Sequence, residues 1–224
     1  NRRAARRLAD MEMTAKIASP LRGKEAKQLK AAAARLFPAM PPVVASHTWK
    51  LVEAHLPAYG DDTAPWLVAL DGKAGLAGPL LPTLFLLWSL PAAPAPLPTV
   101  LVHAPVSKPV LRGADVMWPG CVRPLPPFNE NDVVAVAVVG NPAPFAIGIA
   151  ATSSSTAAAA DMRGVGIRIV HRYRDGLWAA SGRCIPNAGF GADQVFPLTR
   201  DGGIAGEADG SDGEDEALLA PAVA

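Results

Sequence analysis

Apolar positions along this chain change spacing from helix-like to strand-like, and those changes delimit its elements. Between Gly23 and Phe37 they fall at Ala26, Leu29, Ala33 and Leu36, one stripe of a helix, with Lys24, Lys27 and Lys30 elsewhere on its surface and Pro38 marking its end. Residues 49–57 and 65–73 have the short apolar runs of strands, the second closing on the turn pair Asp71-Gly72. Residues 81–89 predict a short buried helix with Pro82 in its first turn, where a missing amide donor does no harm. After the proline-rich connector 91–98, extended and too short to be a free linker, strand patterns dominate. Residues 99–104 and 108–111 predict opening strands, and 133–139 and 145–151 a central hairpin joined through 141–144. Residues 153–162 predict a serine-capped helix, and 165–173 an alternating strand that turns at Asp175-Gly176.

These elements imply an α+β fold: a small α+β amino-terminal domain over residues 16–96, then a mostly β, nearly closed barrel over 97–182. Residues 1–15 are expected to be a poorly ordered or mis-extended start, with Met11 or Met13 near the natural beginning. Periodicity fades after Gly182. The Gly- and acid-rich run 201–216 cannot bury enough apolar surface to offset the entropy of ordering. Residues 183–224 are therefore expected to form an irregular to disordered acidic tail or linker.

Half of the 224 residues are apolar, enough to give one or two domains a core and to exclude global disorder. The formal net charge of +1 conceals an asymmetry: residues 1–35 carry ten Lys/Arg against three Asp/Glu, residues 200–224 one Arg against seven acids. Only the first end suits a polyanion. Cys121 and Cys184 offer neither a disulfide framework nor metal spacing, and the four histidines are scattered. No metal or cofactor is expected, and a reducing, cytosolic setting follows. Residues 79–105 hold no charged side chain but seven prolines, which argues against a membrane span. The glycine doublets in 163–168 and 189–193 make no phosphate loop, and no HExxH, GxSxG or paired-cysteine motif occurs, so no catalytic residue is expected.

Candidate chemistry concentrates in two places. In LRGADVMWPGCV, residues 111–122, Gly113 allows a backbone conformation closed to bulkier residues and Pro119-Gly120 ends the following turn, giving a compact bend with main-chain groups exposed beside Arg112. Strict alternation from Val165 would place Arg168 and Arg172 on one face, with Arg174 continuing that side, a row of guanidiniums suited to phosphate. Such a row also suits a plain solvated face. Trp118, inside the bend, either stacks on an unpaired base or plugs the barrel mouth. Lys24 and Lys27 on the basic helix form a second candidate RNA surface, or merely solubilise an amphipathic helix.

Five blocks, LLPTLFLLWSLP (80–91), LRGADVMWPG (111–120), NDVVAVAVVGNPAPFAIGIAA (131–151), RGVGIRIVHRYRDGLW (163–178) and, more weakly, LKAAAARLFPAM (29–40), occur in the order of a known family. They resemble the pre-PUA and PUA domains shared by ligatin (eukaryotic translation initiation factor 2D) and its shorter relative, the malignant T-cell-amplified-sequence protein. The resemblance implies RNA binding through Lys108, Arg112, Gly113 and Gly120 together with Arg168 and Arg172. It further implies a translation initiation and recycling factor that docks on rRNA of the small (40S) ribosomal subunit and assists tRNA placement or release at the P site. A density-regulated-type partner with an SUI1 domain is expected if the full protein lacks its own, and no membrane partner is expected. The alternative is an RNA-modification enzyme or its accessory subunit, since PUA modules accompany such enzymes. Residues 1–96 are too short for the catalytic domain that reading needs, and Asp61, Asp62 and Asp71 look like turn formers.

Overall fold

The computed structural model describes residues 16–20, 23–36, 50–53, 57–60, 65–69, 80–90 and 97–205. The expected disordered start at 1–15 and residues 206–216 of the acidic run 201–216 lie outside these residues.

The first unit is an antiparallel meander, β1 (Lys16–Pro20), β2 (Lys50–Glu53), β3 (Pro57–Gly60), β4 (Pro65–Ala69) and β5 (Leu80–Pro82), paired in chain order. It carries the helices α1 (Gly23–Leu36) and α2 (Leu84–Ser89). On α1, Leu29 is buried while Lys24 and Lys27 are exposed, the two sides that the apolar spacing predicts. The helix predicted from residue 81 begins three residues later. Pro82 instead pairs with Leu67 as the last residue of β5, and Thr83 caps α2, its hydroxyl accepting from the Leu86 amide at 3.4 Å and donating to the Pro65 carbonyl at 2.6 Å. A fully buried hydroxyl satisfied in both roles fixes where the strand stops and the helix starts.

The second unit curls into a half-barrel with strand order β6 (Thr99–Val102), β8 (Val133–Val138), β9 (Ala146–Ala150), β10 (Val165–Arg172) and β7 (Val116–Met117). β6 runs parallel to β8, and the other pairs are antiparallel. The segment expected as a strand at 108–111 is instead the end of helix α3 (Ala104–Leu111). Pro105 starts it, its fixed φ suiting a first turn, and the Ser107 hydroxyl donates back to the Ala104 carbonyl at 2.6 Å. A four-residue apolar run cannot by itself distinguish these two states. The predicted serine cap holds for α4 (Ser154–Ala159), where Ser153 Oγ accepts from the Thr156 amide at 3.1 Å. Beyond β10, Asp175 caps a further short helix, α5 (Gly176–Ala180).

The two units share a core. Val68 and Leu81 of the meander pack on Val170 with Val133 and Ile149 alongside, and Phe85 of α2 lies 6.5 Å from the His171 ring. Trp88 donates from Nε1 to the Pro144 carbonyl at 2.8 Å. Around Val170 and His171 the outward face of the half-barrel is thus covered by the meander and α2.

Residues 183–205 have little regular structure, but they are packed. Phe190 and Val195 are buried, the Leu198 amide donates to Gly140 O at 2.9 Å, and Asn187 exchanges amide hydrogen bonds with buried Asn141 at 2.9 and 3.2 Å. This strap crosses the β8–β9 turn and α3, and its Phe190 ring sits 5.6 Å from Trp88, edge to face.

Candidate nucleic-acid interface

The bend after α3 is built by three inward hydrogen bonds. The amides of Arg112, Gly113 and Ala114 donate to the carbonyls of Pro109, Val110 and Pro109 at 3.1, 2.9 and 3.0 Å, while Gly113 adopts φ +99°. This closes the helix end with a glycine in the left-handed region. The expectation of free main-chain donors beside Arg112 is therefore corrected: those amides are spent on the helix, and the side chains carry whatever the bend offers. Arg112 and Gly113 are exposed, and Lys108 lies in the last turn of α3. Asp115 joins the bend to the sheet, its Oδ1 accepting from the Ile169 amide at 3.0 Å.

Gly120 serves a steric need. A Cβ there would stand 2.8 Å from Val106 Cγ2 on α3, and its carbonyl accepts the His103 amide at 3.3 Å. Trp118 is 1% exposed, its ring stacked 6.2 Å from Phe128 and lying so close to Gly166 that a Cβ there would fall 2.6 Å from the indole. That is the plug, and an indole so enclosed offers no face to a base.

The row of three guanidiniums does not form. Register runs Arg168↔Ile149 and Ile169↔Gly148, then slips at Val170 so that His171 pairs with Ile147 and Arg172 with Ala146. Residues directly paired share a face, so the bulge puts Arg168 with His171 on the face toward the meander and Arg172 with Ile169 on the barrel's inner side. Arg172 is accordingly 7% exposed and Arg168 half-buried. Arg174 is exposed but leaves the strand at φ +65°, its guanidinium carbon 5.9 Å from the centre of the Trp178 ring. One extra residue at the bulge reverses every later side chain, so strict alternation does not carry past Val170.

His171 has its own partner, Asp175, at 2.6 Å from Nδ1 to Oδ2, both buried. Burial alone would raise the Asp175 carboxyl. The charge and hydrogen bond of His171 and the amides of Trp178 and Arg172 outweigh it and hold the carboxyl below its ordinary range. This pair is a structural clasp between the end of β10 and α5, at the seam with Phe85. The thiols have no place at the bend either: burial pushes Cys121 up to about 12 and raises Cys184.

What the structure brings together is Lys108, Arg112 and one residue absent from the sequence reading, Asp193. Lys108 Nζ lies 2.9 Å from Asp193 Oδ2. The hydrogen bond and charge of Lys108, with the charge of Arg112 added, hold the Asp193 carboxyl below its usual value. A contact across that much chain leaves no local signal in sequence. Lys24 and Lys27 stand on a separate element, α1.

Residues 97–176 match the family model described as "eIF2D, PUA domain". Over that stretch the chain is similar to the PUA domains of the eIF2D type. Eukaryotic translation initiation factor 2D of mouse is 39% identical over 112 residues, covering 49% of this chain and 19% of that protein. Its human counterpart is 36% identical over 135 residues, covering 59% and 22%. Malignant T-cell-amplified sequence 1 of zebrafish is 36% identical over 104 residues, covering 45% and 55%. The chain thus spans about a fifth of the length of the eIF2D relatives. Among solved structures, a PUA-domain protein of Aeropyrum pernix has a TM-score of 0.54 at 24% identity, covering 74% of this chain and 89% of that one. A protein of Pyrococcus horikoshii has 0.55 at 23%, covering 73% and 99%. These coverages exceed the PUA segment itself, so the meander placed before a PUA half-barrel belongs to a known α+β fold.

Proposed function

We propose that this chain is the RNA-gripping module of a translation initiation and recycling factor, working by phosphate and shape recognition without covalent chemistry. The observation that carries the reading is an eIF2D-type PUA domain whose exposed Gly113 bend displays Lys108 and Arg112 together. A lysine and an arginine projected from one rigid helix end suit adjacent phosphates of a folded RNA, the arginine as a fork and the lysine as a point charge. Gly113 keeps the bend tight, and Arg168, Arg174, Lys24 and Lys27 would add only outlying contacts. Arg172, Trp118 and Gly120 serve the fold.

The RNA we assign is rRNA of the 40S subunit, with tRNA at the P site as the further ligand. Double-stranded regions of RNA are read through backbone and shape, which is what two cations without a stacking platform can do. Cosedimentation with purified 40S subunits tests this, using the chain alone and with a density-regulated-type partner carrying an SUI1 domain. Binding is expected to fall at least severalfold in a Lys108→Ala/Arg112→Ala variant of unchanged fold. Equal sedimentation of that variant would remove the bend from the interface.

A further inference from the structure

We propose that Asp193 is a built-in phosphate mimic, which makes the Gly113 bend selective by requiring RNA to displace a carboxylate before it reaches Lys108 and Arg112. The inference rests on the reading of the bend as an RNA surface and adds the residue that sets what the surface accepts. Its basis is how firmly the strap delivers one carboxylate to that place.

Asp193 sits in a tight turn in which the Gly191 amide donates to the Gln194 carbonyl at 3.0 Å, below a bridge between Phe190 and Val195. A side chain at Gly191 would meet the Phe196 ring at 2.9 Å and the Gln194 carbonyl at 3.0 Å, so the close turn is open only to glycine at that position. Two residues after Asp193, the Val195 amide donates at 2.9 Å to the buried hydroxyl of Ser107, the residue preceding Lys108. The turn is therefore pinned to α3 within one residue of the cation that Asp193 meets. A carboxylate oxygen 2.9 Å from Lys108 Nζ, and within the field of Arg112, stands where a phosphate oxygen would stand. The pair is about half exposed, so it is easily exchanged for a better anion. A flexible or isolated charge gains little from that exchange. A rigid backbone that brings phosphate to Lys108 and Arg112 at once regains both cations.

The test measures equilibrium binding of wild type, Asp193→Asn and Asp193→Ala to a structured 18S rRNA fragment and to heparin, across a salt series. Thermal melts serve as the check on folding. Asparagine keeps the size and removes the charge. Both variants are expected to bind RNA roughly twofold to fivefold tighter, the scale of an exposed ion pair, with a salt slope steeper by up to about one counterion. The gain for heparin is expected to exceed the gain for structured RNA. Equal gains for the two polyanions, or unchanged RNA affinity in folded variants, would overturn the selectivity of Asp193 while leaving RNA binding by Lys108 and Arg112 in place. Weaker binding by the variants would make Asp193 a positioning residue for Lys108 and also overturn the proposal. Failure of every form to bind RNA at low salt would remove the RNA reading itself.

Discussion

At the scale of single residues, enclosure separates packing groups from binding groups. Trp118, between Gly166 and Phe128, is core, and its replacement by alanine is expected to cost about 3–5 kcal/mol in denaturant unfolding. Loss of RNA affinity at unchanged stability would instead restore the base-stacking role. Asp175 gives a pH test. Its folded carboxyl is held below the value of about 3.9 that it has in an unfolded chain, so its contribution is fully present above that value and is lost as pH falls through the lower folded one. The stability gap between wild type and Asp175→Asn is therefore expected to narrow as pH falls below about 4. A gap that is flat down to pH 2 in urea titrations would contradict the account.

Elements were legible where one rule governs them. The stripe of α1, the hairpin of β8 and β9, the Ser153 cap and the glycine at the end of α3 all follow from spacing or from the conformational needs of particular residues. The misses share a cause, which is dependence on distant partners. α3 is set by Pro105 and by Ser107, which the strap caps; the Val170 bulge is held by Asp115 from another element; the strap has no periodicity of its own. The candidate site was half visible for the same reason. Lys108, Arg112 and Gly113 adjoin in sequence, whereas Asp193 reaches them only through folding. The strap's hold is open to test. Asn187→Ala removes both amide bonds to buried Asn141 and is expected to destabilise the chain by about 1–3 kcal/mol. The amides of Phe196 and Leu198, bonded to Gly189 and Gly140, are expected to exchange with solvent sooner than those of β9 in this variant. Unchanged exchange would mean that the apolar anchors Phe190 and Val195 suffice.

At the scale of the whole molecule, the meander and α2 pack on one face of the half-barrel and the strap crosses α3, while the Gly113 bend presents Lys108 and Arg112 to solvent at a helix end. Burial of Val68, Leu81 and Phe85 against the half-barrel makes the two units one platform, so a ligand at the bend is held against a single body. The measurement that bears most directly on this account is the salt dependence of binding to a structured rRNA fragment. Wild type is compared with Lys108→Ala/Arg112→Ala and with Lys24→Ala/Lys27→Ala. Loss of two phosphate contacts at the bend is expected to make the slope of log K against log salt shallower by about 1.5–2. The α1 variant is expected to change it by less. An unchanged slope for the bend variant, with the full loss appearing in the α1 variant, would contradict the account and move the interface to the first helix.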